Sequence, residues 1–298
     1  MDHDSRSPLG APLGSLGGPS RHPPLDIDSL ALAHGIVGRR AELRALVAGL
    51  RTGRNVLLEG PVGVGKTALA RAVTEGIGRG WVRVDGDGRY SEAKLVGHFD
   101  PPGVLEKGYL PELFVAGPLV TAMREGAILF INELNRMPEG VQNVLLPALD
   151  EGIVHVPHFG LVRARQGFGV VATQNPAEFV ATGHLSEALL DRFELVRLGY
   201  QSAEEEQVIV LQEAQREPER DLIVAAVALV RATRSDPRIR RGASVRAAVA
   251  IADLATELGG DLDAAAAMAL PTRIELQDAR ETPFELVLKD LQKKTPPR

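Results

Sequence analysis

Residues Gly60, Pro61, Val62, Gly63, Val64, Gly65, Lys66 and Thr67 read G-x-x-x-x-G-K-T. That spacing does the chemistry of a phosphate cradle. Glycines let a short loop curl until several backbone N–H groups point inward at anionic oxygens. Lys66 is expected to reach the β- and γ-phosphates of ATP, and the Thr67 hydroxyl to hold Mg2+. Residues 127–131 form an apolar run that ends in Asn132 and Glu133. A strand end of this kind, beside a phosphate site, is where a metal-site residue and a catalytic carboxylate are needed. Glu133 is expected to act as general base for the attacking water. Asn132 stands where an aspartate is expected. It is expected to meet Mg2+ through water by its neutral amide, to leave ATP binding intact and to slow hydrolysis, and Asn132→Asp to raise turnover.

Three more polar residues follow apolar runs or end helices. Residues 170–173 lead into Gln174, Asn175 and Pro176. Asn175 is expected to orient the attacking water or touch the γ-phosphate. Arg192 lies in the run LLDRF at a helix end that Ser186 can cap. It is the candidate arginine finger, supplied in trans to a neighbouring subunit's nucleotide. Arg246, at the start of a helix after Gly242, is expected to reach back to the γ-phosphate. His98, His155 and His158 have no ligand spacing and are taken as loop and hairpin residues.

The elements that must position these groups alternate. Short apolar runs at 56–58, 81–84, 128–131, 170–173 and 195–198 read as strands, with helical patterns between them. One such helix carries Leu43, Leu46, Val47 and Leu50 on a single stripe. A parallel sheet covered on both faces is the natural arrangement. Beyond residue 200 the pattern is helical, near 202–216, 220–233, 243–257, 261–270 and 281–293, with no strand expected. Ser202 and Glu205 have the spacing of a capping box. Residues 1–27, rich in Pro, Gly and Ser, are expected to be a disordered tail. The expected division is tail 1–27, nucleotide-binding core 28–200 and helical lid 201–298. Two segments interrupt the core: 97–117, and 153–168, which reads as a β-hairpin turning near Phe159 and Gly160.

Composition narrows the function classes. The net charge of −5 argues against a dedicated nucleic-acid or membrane-surface binder. With no cysteine there is no disulfide and no thiolate metal site. The longest apolar stretch, 222–230, is too short to span a bilayer, and no apolar signal core stands at the N-terminus. A cytoplasmic protein is expected.

Taken together, GPVGVGKT at 60–67, GPL at 117–119, ILFINELNR at 128–136, VVATQNP at 170–176, LSEALLDRF at 185–193 and GASVR at 242–246 resemble the MoxR family of AAA+ ATPases. The resemblance covers roughly residues 28–298. It implies a five-stranded parallel αβα core followed by a helical lid. Asn175 and Arg246 would be its sensor 1 and sensor 2 residues, 98–116 its helix-2 insert and 153–168 its pre-sensor-1 hairpin. It further implies a homo-oligomeric ring, usually hexameric, with ATP between subunits. The implied role is chaperone-like maturation of a client complex, often a metalloenzyme, with a von Willebrand factor A domain protein as partner. Asn132 departs from the family pattern. Two alternatives fit the same motifs: a slowly hydrolysing, nucleotide-dependent assembly scaffold, and a chelatase-type metal-insertion ATPase subunit.

Overall fold

The computed structural model describes residues 25–175, 185–278 and 283–294. The five apolar runs form one parallel sheet. Its order is Trp81–Asp85, Ile128–Asn132, Gly169–Gln174, Asn55–Glu59 and Phe193–Arg197. Burial follows that order. Every residue of the central strand Gly169–Gln174 is buried, whereas the edge strands Trp81–Asp85 and Phe193–Arg197 are mostly half-buried or exposed. Central parallel strands have both faces covered, which is why they read as continuous apolar runs.

Within Ile128–Asn132 the side chains alternate between two cores. Ile128 and Phe130 pack with Leu43, Leu46 and Leu50 of the helix Arg40–Arg51 and with Leu69 and Val73 of the helix Lys66–Gly76. Leu129 and Ile131 pack on the other face with Leu119 and Met123 of the helix Pro118–Glu125. The chain leaves Asn55–Glu59 for the far edge at Trp81–Asp85, steps back strand by strand and then passes Asn55–Glu59 to reach Phe193–Arg197, so the connections leaving the adjacent strands Asn55–Glu59 and Gly169–Gln174 run in opposite directions. The crevice at the carboxyl end of such a sheet is where open α/β folds bind ligands.

Both interruptions are built excursions. Strands Gly97–Phe99 and Phe114–Ala116 pair antiparallel and enclose the helix Pro101–Lys107. Strands Ile153–Val156 and Gly160–Arg163 pair as a hairpin. Its turn is at 157–159, with His158 at φ 60°, slightly earlier than expected, and Gly160 opens the return strand. The two excursions touch: Tyr109 stacks on His158 with centroids 3.9 Å apart, and Phe114 meets Phe159 at 4.7 Å.

Past residue 200 come helices Ala203–Glu213, Arg220–Ser235, Val245–Glu257, Leu262–Ala269 and Phe284–Lys294, around a separate Leu-, Ala- and Val-rich core. Ser202 and Glu205 form the expected capping box, each side chain bonded to the other's backbone N–H. The expectation of no strand here is corrected: Ile239–Arg241 pairs antiparallel with Glu275–Leu276. Segments of three and two residues, largely charged, carry no period-two apolar signal. Their pairing is a consequence of the helices that bring the two loops alongside. Positions 1–24 of the expected tail lie outside the described residues, and Asp26 already caps a helix, Ile27–Ala33. Among the described residues no helix is long and apolar enough to cross a membrane.

Candidate functional site

The loop 60–67 runs from the strand Asn55–Glu59 into the helix Lys66–Gly76. Gly63 and Gly65 take φ of 79° and 90°, the left-handed region that residues with a Cβ enter only at a cost. The curl lets the loop face a cleft of about 390 Å3, into which Thr67 also points from the helix's first turn. The positive end of that helix lies at the same cleft and would favour an anion there. Lys66 Nζ donates to the carbonyls of Gly60 (2.5 Å) and Pro61 (2.9 Å), so its ammonium is folded across the loop.

Asn132 and Glu133 line the same cleft. Glu133 has a left-handed backbone, φ 56° and ψ 51°. Such strain persists where surrounding contacts enforce it. Here the Glu133 N–H donates to Thr173 Oγ1 at 2.8 Å, and the carboxylate pairs with Arg136 at 3.1 Å. The Asn132 amide is engaged on both sides. Its Nδ2 donates to Asp85 Oδ1 (2.9 Å) and its Oδ1 accepts from the Thr173 hydroxyl (3.0 Å). The Arg83 guanidinium holds the Asp85 carboxyl below the usual carboxylate range, and the Asn132 amide adds to that.

The helical region closes the other wall. A Cβ on Gly63 would collide with the Ser244 side chain and come within 3.9 Å of Arg246 Cδ. Close approach at this point brings Val245 and Arg246 into the cleft. Arg39, only 7 % exposed, ties the loop to the end of the sheet: its Nη2 donates to Val64 O (3.2 Å) and Gly199 O (2.6 Å).

Two expected site residues stand apart from this cleft. Asn175 follows Gly169–Gln174, is buried at 3 % exposure and is not among the residues lining the cleft. Arg192 lies in a different depression, with Arg54 and Asp150. Its Nε donates to both Asp150 carboxylate oxygens (2.8 and 2.9 Å), which raises its already high pKa, and its Nη1 to Ala188 O at 2.5 Å. Ser186 caps the preceding helix, Glu187–Leu190, as expected. The motif residue Pro176 lies outside the described residues.

Arg39, Arg83, Asp85 and Thr173 escaped the sequence reading. Arg83 and Asp85 did carry a signal: a charged pair at alternate positions closes a strand whose neighbour ends in Asn132. The donor set of the cleft fits Mg2+. Thr67, Asn132 and Glu133 offer hard oxygens, few in number, as suits an ion held largely by water and substrate phosphates.

The model of the AAA domain (dynein-related subfamily) matches residues 55–193. The chain is 32 % identical over 231 residues to the uncharacterized protein YojN of Bacillus subtilis (strain 168), covering 74 % of this chain and 75 % of that one. It is 33 % identical over 177 residues to the gas vesicle ATPase GvpN of Haloferax mediterranei, covering 54 % of this chain and 51 % of that one. Among solved structures, a point mutant of RuvB from Thermotoga maritima superposes with a TM-score of 0.52 at 19 % identity, over 80 % of this chain and 68 % of that one. That likeness speaks for the fold alone.

Proposed function

The chain belongs to the MoxR-type, dynein-related branch of the AAA domain ATPases, and we propose that it is a ring-forming remodelling ATPase that matures or activates a client protein complex. One observation carries this reading. The phosphate loop, Glu133 and Arg246 converge on one cleft, while Arg192 stands in another depression of the same chain. An arginine so placed has a catalytic use only toward a nucleotide bound by a neighbour.

In this reading the loop amides and Lys66 grip the phosphates of ATP, and Lys66 leaves the Gly60 and Pro61 carbonyls for them. Thr67 directly, and Asn132 through water, would hold Mg2+, which when bound supplies charge neutralisation at the transferring phosphoryl group. Glu133 accepts the proton of the attacking water. Asn175 orients that water once the site closes. Arg192 leaves Asp150 for the neighbour's γ-phosphate, and Arg246 couples the lid to it. The contacting excursions 98–116 and 153–168 carry the motion to the client, since long ordered excursions on a compact core are usually functional. A second, slower reading, a nucleotide-dependent scaffold, draws on Asn132, whose amide brings no charge to the metal.

The test is steady-state ATPase together with particle mass, with and without ATP. Turnover that rises with protein concentration as the ring assembles is expected. A protein that binds ATP, stays monomeric at micromolar concentration and still hydrolyses at its full rate would overturn the ring reading. ATP-dependent assembly without turnover would favour the scaffold.

A further inference from the structure

Asn132 departs from the expected carboxylate, and its neighbours give the departure a physical reason. The sheet register sets Asp85 directly opposite Asn132, and the Gly86 N–H donates to Asn132 O at 2.7 Å. The Asn132 and Asp85 side chains are therefore held side by side, Nδ2 to Oδ1 at 2.9 Å. An ionised carboxylate only accepts hydrogen bonds, so the amide nitrogen must face Asp85 and the amide oxygen must face Thr173. An aspartate at 132 would instead oppose two acceptor-only anions at that distance. Arg83 pairs with Asp85 through Nε and Nη2, at 3.0 and 2.7 Å, which keeps the carboxylate charged and aimed. From Asp85 the contacts run on without a break. Asn132 Oδ1 accepts from Thr173 Oγ1 (3.0 Å), and the same Thr173 oxygen accepts the Glu133 N–H (2.8 Å), where the backbone is strained.

We propose that Asp85 and Asn132 form a carboxylate–amide pair in which Asp85 is a positioning residue for Glu133, acting through Asn132 and Thr173. Asn132 is then the fitted middle of a relay across three strand ends, and an aspartate there alone breaks the relay, which reverses the rise in turnover that the sequence by itself leads one to expect of Asn132→Asp. This rests on the reading of Glu133 as general base.

The experiment compares full-length wild type with N132D, D85N, D85A and the D85N/N132D swap. Two quantities are measured: kcat and KM for ATP, and hydrogen exchange of the Glu133 amide in nucleotide-free protein. For N132D and D85A, kcat falls about 10-fold, the usual scale for supporting partners of a reactive group, KM is unchanged and the Glu133 amide exchanges faster. The swap keeps one donor and one acceptor at the same two positions, so it returns both quantities toward wild type. An N132D protein as fast as wild type with unchanged exchange overturns the proposal. So does a swap that behaves as the product of D85N and N132D. If no protein in the set hydrolyses ATP, the functional reading fails by itself, and exchange in the swap still decides the relay.

Discussion

Glu206 is a deeply buried charge of the helical region, and its removal makes a demanding test of how that region is held against the cleft. Its side chain is 3 % exposed and accepts from Arg231 Nη1 at 3.2 Å and Arg234 Nη1 at 2.6 Å. Arg234 is itself 11 % exposed, donates its Nε to Ala243 O at 2.7 Å and stacks on Tyr200, 3.8 Å from the ring centroid. Glu206→Ala leaves a desolvated guanidinium with no counter-charge. Breaking a buried pair from one side costs about 3–5 kcal/mol, far more than a surface pair is worth. Arg231, 40 % exposed, remains hydrated and adds little. Glu206→Gln keeps an acceptor and is expected to lose an intermediate amount. The effect reaches the site because Arg234 anchors the 242–246 segment, from which Arg246 enters the cleft. Urea unfolding is the assay, followed by ATP titration under native conditions. A loss below about 1 kcal/mol, the range of exposed pairs, would refute the buried-charge reasoning. Unchanged ATP affinity in a destabilised but folded Glu206→Ala protein would refute the link from Arg234 to Arg246.

Lys66→Ala is expected largely to abolish ATP binding in a folded protein, because no other side chain of the loop carries a positive charge; wild-type affinity in a titration would remove Lys66 from the phosphate site. Glu133→Gln should keep ATP binding and lose turnover, read by single-turnover hydrolysis, and retained hydrolysis would place the base elsewhere. Arg192→Ala should also bind ATP but lose on the order of 10³-fold or more in turnover, and mixing it with Lys66→Ala subunits should recover activity at interfaces where each supplies what the other lacks; no recovery in mixed rings argues against action in trans. Shortening the 153–168 hairpin should spare ATP binding while uncoupling turnover from the client, and client maturation unaffected in cells would reduce the hairpin to a structural role.

Much of the fold was legible in sequence because its determinants are local. The loop 60–67 is eight contiguous residues whose types dictate its backbone, and Gly63 and Gly65 take up the positive φ that such a curl demands. The five sheet strands announced themselves as apolar runs because each is flanked by packed helices. The capping box at Ser202 and Glu205 is a four-residue device and formed as read. The meaning of Asn132 was of another kind. Its type and its place at a strand end could be read, but its chemistry depends on Asp85, 47 residues away, which only the register of two parallel strands sets opposite it. The same holds for the short ladder of Ile239–Arg241 with Glu275–Leu276, whose residues carry no strand signal of their own. It holds too for Arg192, whose helix end was legible but whose resting partner, Asp150, was not. Hydrophobic periodicity and loop stereochemistry act over a few residues and survive in a linear string. Which polar side chains meet is decided by packing between distant segments, and that information exists only once the sheet has closed.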